Sequence, residues 1–308
     1  MAKATIPLAK GYDITKITWP AYLSTKYDGV PVKIAVTKHD VKGSPCYAIS
    51  GESRSGENLK STSDDLADFL QMLIDHDCLT DDKHVFVAEV THRTLKNFKD
   101  ISGVVRRQEP QEDLLYNFFD YQVGDLDAGF TTRNCGLEDI IVSITNRFSD
   151  DRFKYVKQTK CYDVDDFIEQ LVHLQETQPD AEGHIARSGD ATFKPNSRHW
   201  DYQKIVIDPT VDLRIIDVQE AVSKTKEPLG MVGRLVAEYK GKRIGIGPGK
   251  LSHVERKQLW INYHGARPTK EFPNMIATIK YKRDDSYEAL RQPTFQHWRP
   301  EKTEESYD

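Results

Sequence analysis

The sequence predicts a mixed α+β chain in two parts, a larger N-terminal domain over 1–209 and a smaller β-rich domain over 210–308. Three observations carry that expectation. At 308 residues the chain exceeds one ordinary core and suits two domains. Up to Asp208-Pro209, strand-like and helix-like stretches alternate irregularly; beyond it, strands separated by Gly-rich turns dominate. Charge divides near the same line: Lys and Arg number 25 against 34 Asp and Glu over 1–210, a net of -9, and 18 against 14 over 211–308, a net of +4.

Apolar and β-branched runs bounded by turn residues predict strands near 22–26, 30–37, 84–91, 114–121, 183–188 and 203–207. Helical spacing of apolar residues predicts helices over 63–76 (Leu66, Phe69, Leu70, Leu73, Ile74), 137–148 and 164–175. After the boundary, strands are expected at 211–222, 230–240 and 242–248, a helix at 252–262, and further strands to about 297. That succession favours a small five-stranded barrel, from which periodicity does not separate a small sandwich. The tail from Glu301 is expected to fray.

Composition excludes several classes. With 38% hydrophobic and 30% charged residues, the chain reads as an ordinary soluble globular protein. No basic start precedes an apolar core, and no run of 18 apolar residues occurs, so a cytoplasmic protein without membrane contact is expected. Cys46, Cys78, Cys135 and Cys161 are scattered, which argues for reduced thiols and against structural zinc. The net charge of -5 alone argues against a nucleic-acid partner, yet 224–257 carries 9 cations against 3 anions. A basic stretch of that kind suits a phosphate backbone, because neutralised phosphates release counterions. A solvated face remains equally open on charge alone.

One tetrapeptide has chemical interest. Lys26-Tyr27-Asp28-Gly29 lies between two apolar runs, which places the lysine at a strand end or tight turn. A lysine with a depressed pKa is a competent nucleophile, and neighbouring cations or a metal would supply the depression. By itself the pattern is weak, expected by accident in roughly one chain of this length in fifteen. Its weight comes from a series of downstream segments in order: Ser53-Arg54 on a polar turn, Glu89 after Val85-Phe86-Val87-Ala88, Phe118-Phe119-Asp120-Tyr121, Glu182-Gly183 leading into Ile185, and Lys204 after Trp200-Asp201-Tyr202. Taken singly, Glu89 is an edge charge, Phe119 a core residue and Lys204 a solvated strand residue.

Collectively these segments resemble the ordered motifs of the nucleotidyltransferase superfamily, and most closely the small viral and bacteriophage ATP-dependent DNA ligases. The resemblance runs from Pro7-Leu8-Ala9-Lys10 to Lys302 and includes Arg291-Gln292-Pro293-Thr294-Phe295-Gln296-His297-Trp298-Arg299, similar to the Arg-x-Pro-x-Phe-x-x-x-Arg element of DNA ligases. It implies an adenylation domain of antiparallel sheets flanked by helices, followed by an oligonucleotide-binding (OB) barrel. It also implies ATP as the nucleotide, with AMP carried covalently on Lys26, Mg²⁺ or Mn²⁺ as the metal, and nicked duplex DNA as the partner of a monomer. Glu89 would bind the ribose hydroxyl, Phe119 would stack on adenine, and Glu182 would help hold the metal. Lys204 would meet the α-phosphate, while Arg299 with Lys302 would orient the pyrophosphate leaving group. Arg54 would meet the 5′-phosphate of the nick, and Lys240, Lys242, Arg243 and Lys250 would supply cations to the DNA backbone. The two domains would move about a hinge near 208–211.

Two positions depart from the family pattern. Pro31 stands where the family has arginine, with Lys33 the nearest cation on the same strand face, and the lysine pair expected around Lys204 is incomplete, with Tyr202 on one side and Val206 on the other. Gly245-Ile246-Gly247-Pro248-Gly249-Lys250-Leu251 is not a P-loop, since Ile244 and Leu251 occupy positions where that motif needs Gly and Ser or Thr. It is expected to form a barrel turn. An RNA ligase, a capping guanylyltransferase and a catalytically inactive nucleic-acid-binding relative are the alternatives.

Overall fold

The computed structural model describes residues 5–124, 127–178, 181–206, 208–264, 274–282 and 290–307. The chain divides into two compact units, Met1–Val206 and Ile207–Asp308.

The first unit contains β1 (Leu8–Gly11), β2 (Ala21–Lys26), β3 (Val30–Val41), β4 (Ser44–Ser53), α1 (Ser63–Asp75), β5 (Lys83–His92), α2 (Phe98–Val105), β6 (Leu114–Val123), α3 (Phe130–Phe148), β7 (Phe153–Tyr155), β8 (Thr159–Cys161), α4 (Val164–Thr177), β9 (Gly183–Ser188) and β10 (Arg198–Ile205). They form two five-stranded, mainly antiparallel sheets, ordered β1-β10-β9-β2-β8 and β4-β3-β5-β6-β7. Period-two alternation sends Val30, Val32 and Ile34 of β3, with Ala88 and Val90 of β5, to one face, where Leu66, Phe69 and Leu73 of α1 and Leu137, Ile141 and Ile144 of α3 cover them. Ala21 and Leu23 of β2 pack with Ala186, Ile205 and Phe167 of α4 on the outer face of the other sheet.

Asp163 starts α4 as expected of an N-cap, its side chain accepting from the amides of Asp165 and Asp166. Helix α3 begins at Phe130, earlier than the expected 137, because its first turns are buried by polar contacts: Arg133 and Asn134 are both inside. Four strands, β1, β4, β7 and β8, and the helix α2 were not expected.

The second unit contains β11 (Thr210–Val222), β12 (Pro228–Tyr239), β13 (Lys242–Ile246), α5 (His253–His264), β14 (Ile276–Lys282), β15 (Arg291–Trp298) and β16 (Ser306–Tyr307). Its sheet runs β13-β12-β11-β14-β15, with β16 beside β11. Among the described residues this sheet does not close into a barrel. Its two ends do approach each other, since Gly247 donates to Pro293 O at 2.9 Å and accepts from the Phe295 amide at 3.0 Å. The Gly-rich segment is therefore a connector bonded to β15.

One expectation about the chain's course is corrected. The tail does not fray up to 307: Glu305 accepts from the Arg214 amide at 2.8 Å, and Ser306 pairs with Asp212 on β11. The expected hinge segment is bonded into the second unit, because Asp208 ion-pairs with Lys280 at 2.7 Å and Lys282 at 2.8 Å, and the Tyr281 amide donates to Pro209 O at 3.1 Å. Among the described residues no helix is long and apolar enough to cross a membrane.

Candidate active site

Lys26 is the last residue of β2 and stands opposite Gly183, the first of β9. Register continues with Ser24 opposite Ile185 and Ile185 opposite Lys204, so Lys26, Ser24, Ile185 and the exposed Lys204 share one face of the sheet. Two glycines let other backbone close on this corner. A Cβ on Gly29 would lie 2.4 Å from Val90 O and 3.0 Å from the Glu89 side chain, and one on Gly183 would lie 2.3 Å from Ile205 O. The glycine of the Lys26 tetrapeptide thus allows β5 to bring Glu89 alongside.

The Lys26 ammonium is salt-bridged to Glu182. Glu89 accepts from the Gly29 amide at 3.2 Å. Burial works to lower the Lys26 pKa, but the charge and hydrogen bond of Glu182, with the charges of Glu89 and Asp28, outweigh it and hold the amine above its ordinary value. This reverses the depression expected of the nucleophile. The Glu89 carboxyl is pushed up to about 8, first by burial and further by Glu182 and Asp28, against the pull of Lys26 and the Gly29 amide. One cation among three carboxylates leaves excess negative charge at this corner.

Phe119 occupies a β-bulge. On β5, Val87 pairs with Asp120 and the next residue, Ala88, pairs with Phe118, so Phe119 has no partner of its own. The extra residue turns both Phe119 and Asp120 toward Arg187 of β9, whose guanidinium lies 5.8 Å from the Phe119 ring and 2.9 Å from the Asp120 carboxylate. Arg133 of α3 takes the other Asp120 oxygen at 3.0 Å and donates to Ala128 O and Ala191 O at 2.6 and 2.7 Å. Arg187 is further enclosed by the rings of Tyr202 and Phe130, at 4.2 and 4.3 Å. All three charged groups of this network are at most 5% exposed. Sequence reasoning singled out the segment holding Asp120 and passed over Arg133 and Arg187. The available signal was an arginine on the Glu182 strand, at a spacing that returns it to the face of Ile185.

The departures acquire locations. Pro31 pairs with Glu89 and lies one residue ahead of the β4 ladder, which begins at Val32, so no bond to β4 is lost there. Lys33 shares that face and is held by Glu52 at 2.9 Å. Tyr202 stands beside Arg187 on the Lys204 strand.

The remaining expected residues lie elsewhere. Arg54 is exposed on the turn after β4, its carbonyl accepting from the Thr5 amide at 2.9 Å. In the second unit Arg299 and Lys302 both ion-pair with Asp212, Arg299 at 3.1 Å. Lys240, Lys242, Arg243 and Lys250 are exposed around the β12–β13 turn and beyond it, with Arg243 paired to Asp217 at 2.6 Å. Among the described residues no three His, Cys, Asp or Glu side chains cluster as a metal cage.

The first unit is a mixed α+β fold of two mainly antiparallel sheets with a lysine at a strand end. No family model matches the sequence, and no curated protein matches it. The structure superposes on a protein called Pmar-Lig_PreS3 with a TM-score of 0.74 and 18% identity, over 96% of this chain and 68% of that one. It superposes on a Lig E DNA ligase with a TM-score of 0.62 and 16% identity, over 96% and 98% of the two chains. A third match is the ATP-dependent DNA ligase of bacteriophage T7, in complex with ATP, with a TM-score of 0.55 and 15% identity over 97% and 99%. The structural neighbours are ATP-dependent DNA ligases, and the fold is theirs.

Proposed function

We propose that the chain is an ATP-dependent DNA ligase that seals nicks bearing a 3′-hydroxyl and a 5′-phosphate, with Lys26 as the nucleophile. The observation that carries this reading is the Lys26 corner: an amine at a strand end, salt-bridged to Glu182 and beside Glu89, on a ligase fold.

In this reading the first unit is the adenylation domain and the second an OB barrel, a view supported by the bonds that join Gly247 to β15. Once its ammonium has given up a proton, Lys26 Nζ attacks the α-phosphate of ATP, the N–P bond of the phosphoramidate forms as the P–O bond to the β-phosphate breaks, and pyrophosphate leaves. Phe119 stacks on adenine, Glu89 accepts from the ribose, and Lys204 stabilises charge on the α-phosphate. Arg299 and Lys302 orient the leaving group. AMP then passes to the 5′-phosphate of the nick, and the 3′-hydroxyl displaces it.

The donor chemistry fits a divalent cation. Mg²⁺ takes few carboxylates together with waters and phosphate oxygens, so Glu182 suffices from the protein without a cage. Bound there, the cation would neutralise carboxylate charge and lower the Lys26 pKa. Arg54, Lys240, Lys242, Arg243 and Lys250 provide the DNA contacts.

The test is incubation with α-labelled ATP and denaturing electrophoresis, comparing wild type with Lys26→Ala. An acid-labile label on wild type alone supports the reading, and no label on either rejects it. Sealing of nicked DNA but not nicked RNA duplexes separates a DNA ligase from an RNA ligase.

A further inference from the structure

The two cations assigned to the polyphosphate are already neutralised within their own unit. Asp212 of β11, 5% exposed, accepts from Arg299 at 3.1 Å and from Lys302, and also from the hydroxyls of Thr278 and Ser306 at 2.5 and 3.3 Å. Arg299 Nε is taken on its other side by Glu301 at 2.5 Å. Two cations therefore meet two carboxylates. The carboxylates differ in what they lose when a competing anion arrives. Glu301 is 59% exposed at its side chain and can return to water. Asp212 cannot follow. Thr278 and Ser306 hold it inside, where it would keep its charge without a cationic partner.

We propose that Asp212 and Glu301 are internal counterions that hold Arg299 and Lys302 as a pair and compete with a polyphosphate for them, Asp212 being the stronger competitor. Their relevance to ATP rests on the ligase reading; the competition itself involves the second unit alone. Asp212 is a positioning residue: it meets the substrate only through the cations it holds. Its competition keeps polyphosphate affinity low, so that a leaving pyrophosphate is not retained.

The probe is inorganic tripolyphosphate titrated calorimetrically into the full chain. Asp212→Asn keeps the shape and the bonding capacity toward Thr278 and Ser306 while removing the charge, and should tighten the Kd about fivefold or more. Glu301→Gln, at an exposed position with little folding risk, should tighten it about twofold. Arg299→Ala and Lys302→Ala should weaken it. Mere structural damage would weaken binding, so tightening separates competition from misfolding. Unchanged or weaker binding by Glu301→Gln, or by a folded Asp212→Asn, overturns the proposal, as does indifference to loss of Arg299 and Lys302. If the wild type takes no label from ATP, the ligase reading fails while this titration still decides the competition.

Discussion

Lys26 closes β2 directly opposite Gly183, and its ammonium is salt-bridged to Glu182, the residue immediately before that glycine. Strand register thus sets the Lys26 amine and the Glu182 carboxylate side by side. Because the folded pKa of Lys26 lies above its ordinary 10.5, the ion pair stabilises the fold below that pH and is lost as pH rises through the folded value. The attacking form, the neutral amine, is correspondingly scarce near pH 7. Glu182→Gln should move the Lys26 titration to lower pH, read from the pH dependence of its modification by an amine-acylating reagent in the absence of ATP. An unchanged midpoint would show that Glu182 does not set the charge of the nucleophile.

Glu89 makes the opposite contribution. Its folded carboxyl, pushed up to about 8 from an ordinary 4.5, favours the protonated form, so its effect on stability is absent below pH 4.5 and grows unfavourable as pH rises toward 8. Glu89→Gln should therefore leave the Tm unchanged near pH 4 and raise it near pH 8.5, by about 2–4 °C for each kcal/mol of penalty removed. Thermal melts at the two pH values decide it. A Tm gain that is the same at both would place the effect in packing instead of charge.

The buried Asp120 network should be the most sensitive point of the first unit. Asp120→Ala leaves the buried Arg133 and Arg187 without their carboxylate, a loss of about 3–5 kcal/mol. Urea unfolding measures it. Arg187 retains the rings of Tyr202 and Phe130, so Asp120→Asn should cost less than the alanine variant.

How much was legible in the sequence depends on how each element is stabilised. Strands β2, β5, β6 and β9 bury residues at strand spacing; β4 reads Ser-Pro-Cys-Tyr-Ala-Ile-Ser-Gly-Glu-Ser, and at the sheet edge its short apolar stretch over 46–49 stays unburied, so no in-and-out alternation marks it. The front of α3 failed for a different reason. Thr131, Thr132, Asn134 and Gly136 are weak helix signals, and the first turns are held by Arg133 reaching Asp120, a tertiary contact no local pattern encodes. The same holds at the site. The order of Lys26, Glu89, Phe119 and Glu182 was readable along the chain, whereas the bulge at Phe119 and the pairing of Arg299 and Lys302 with Asp212 depend on register and on side chains far apart in sequence.

The basic residues of the second unit are not equivalent, and salt dependence should show it. Lys240 and Lys250 are exposed, while the Arg243 guanidinium is bonded to Asp217, which also accepts from the Tyr263 hydroxyl at 2.5 Å. A phosphate recruiting Arg243 must displace that carboxylate, so its counterion gain is partly offset. Each lysine that contacts a phosphate should contribute about 0.9 to the slope of log K against log salt on duplex DNA. Substituting Lys240 and Lys250 together by Gln should therefore lower the slope by about 2, and Arg243→Gln by well under 1. Filter binding or fluorescence anisotropy with nicked duplex DNA between 50 and 200 mM salt, roughly the range where such slopes are resolved, provides the measurement. A full unit lost on Arg243→Gln would mean that Asp217 releases the guanidinium freely, and an unchanged slope in the double lysine variant would move the DNA-binding surface elsewhere.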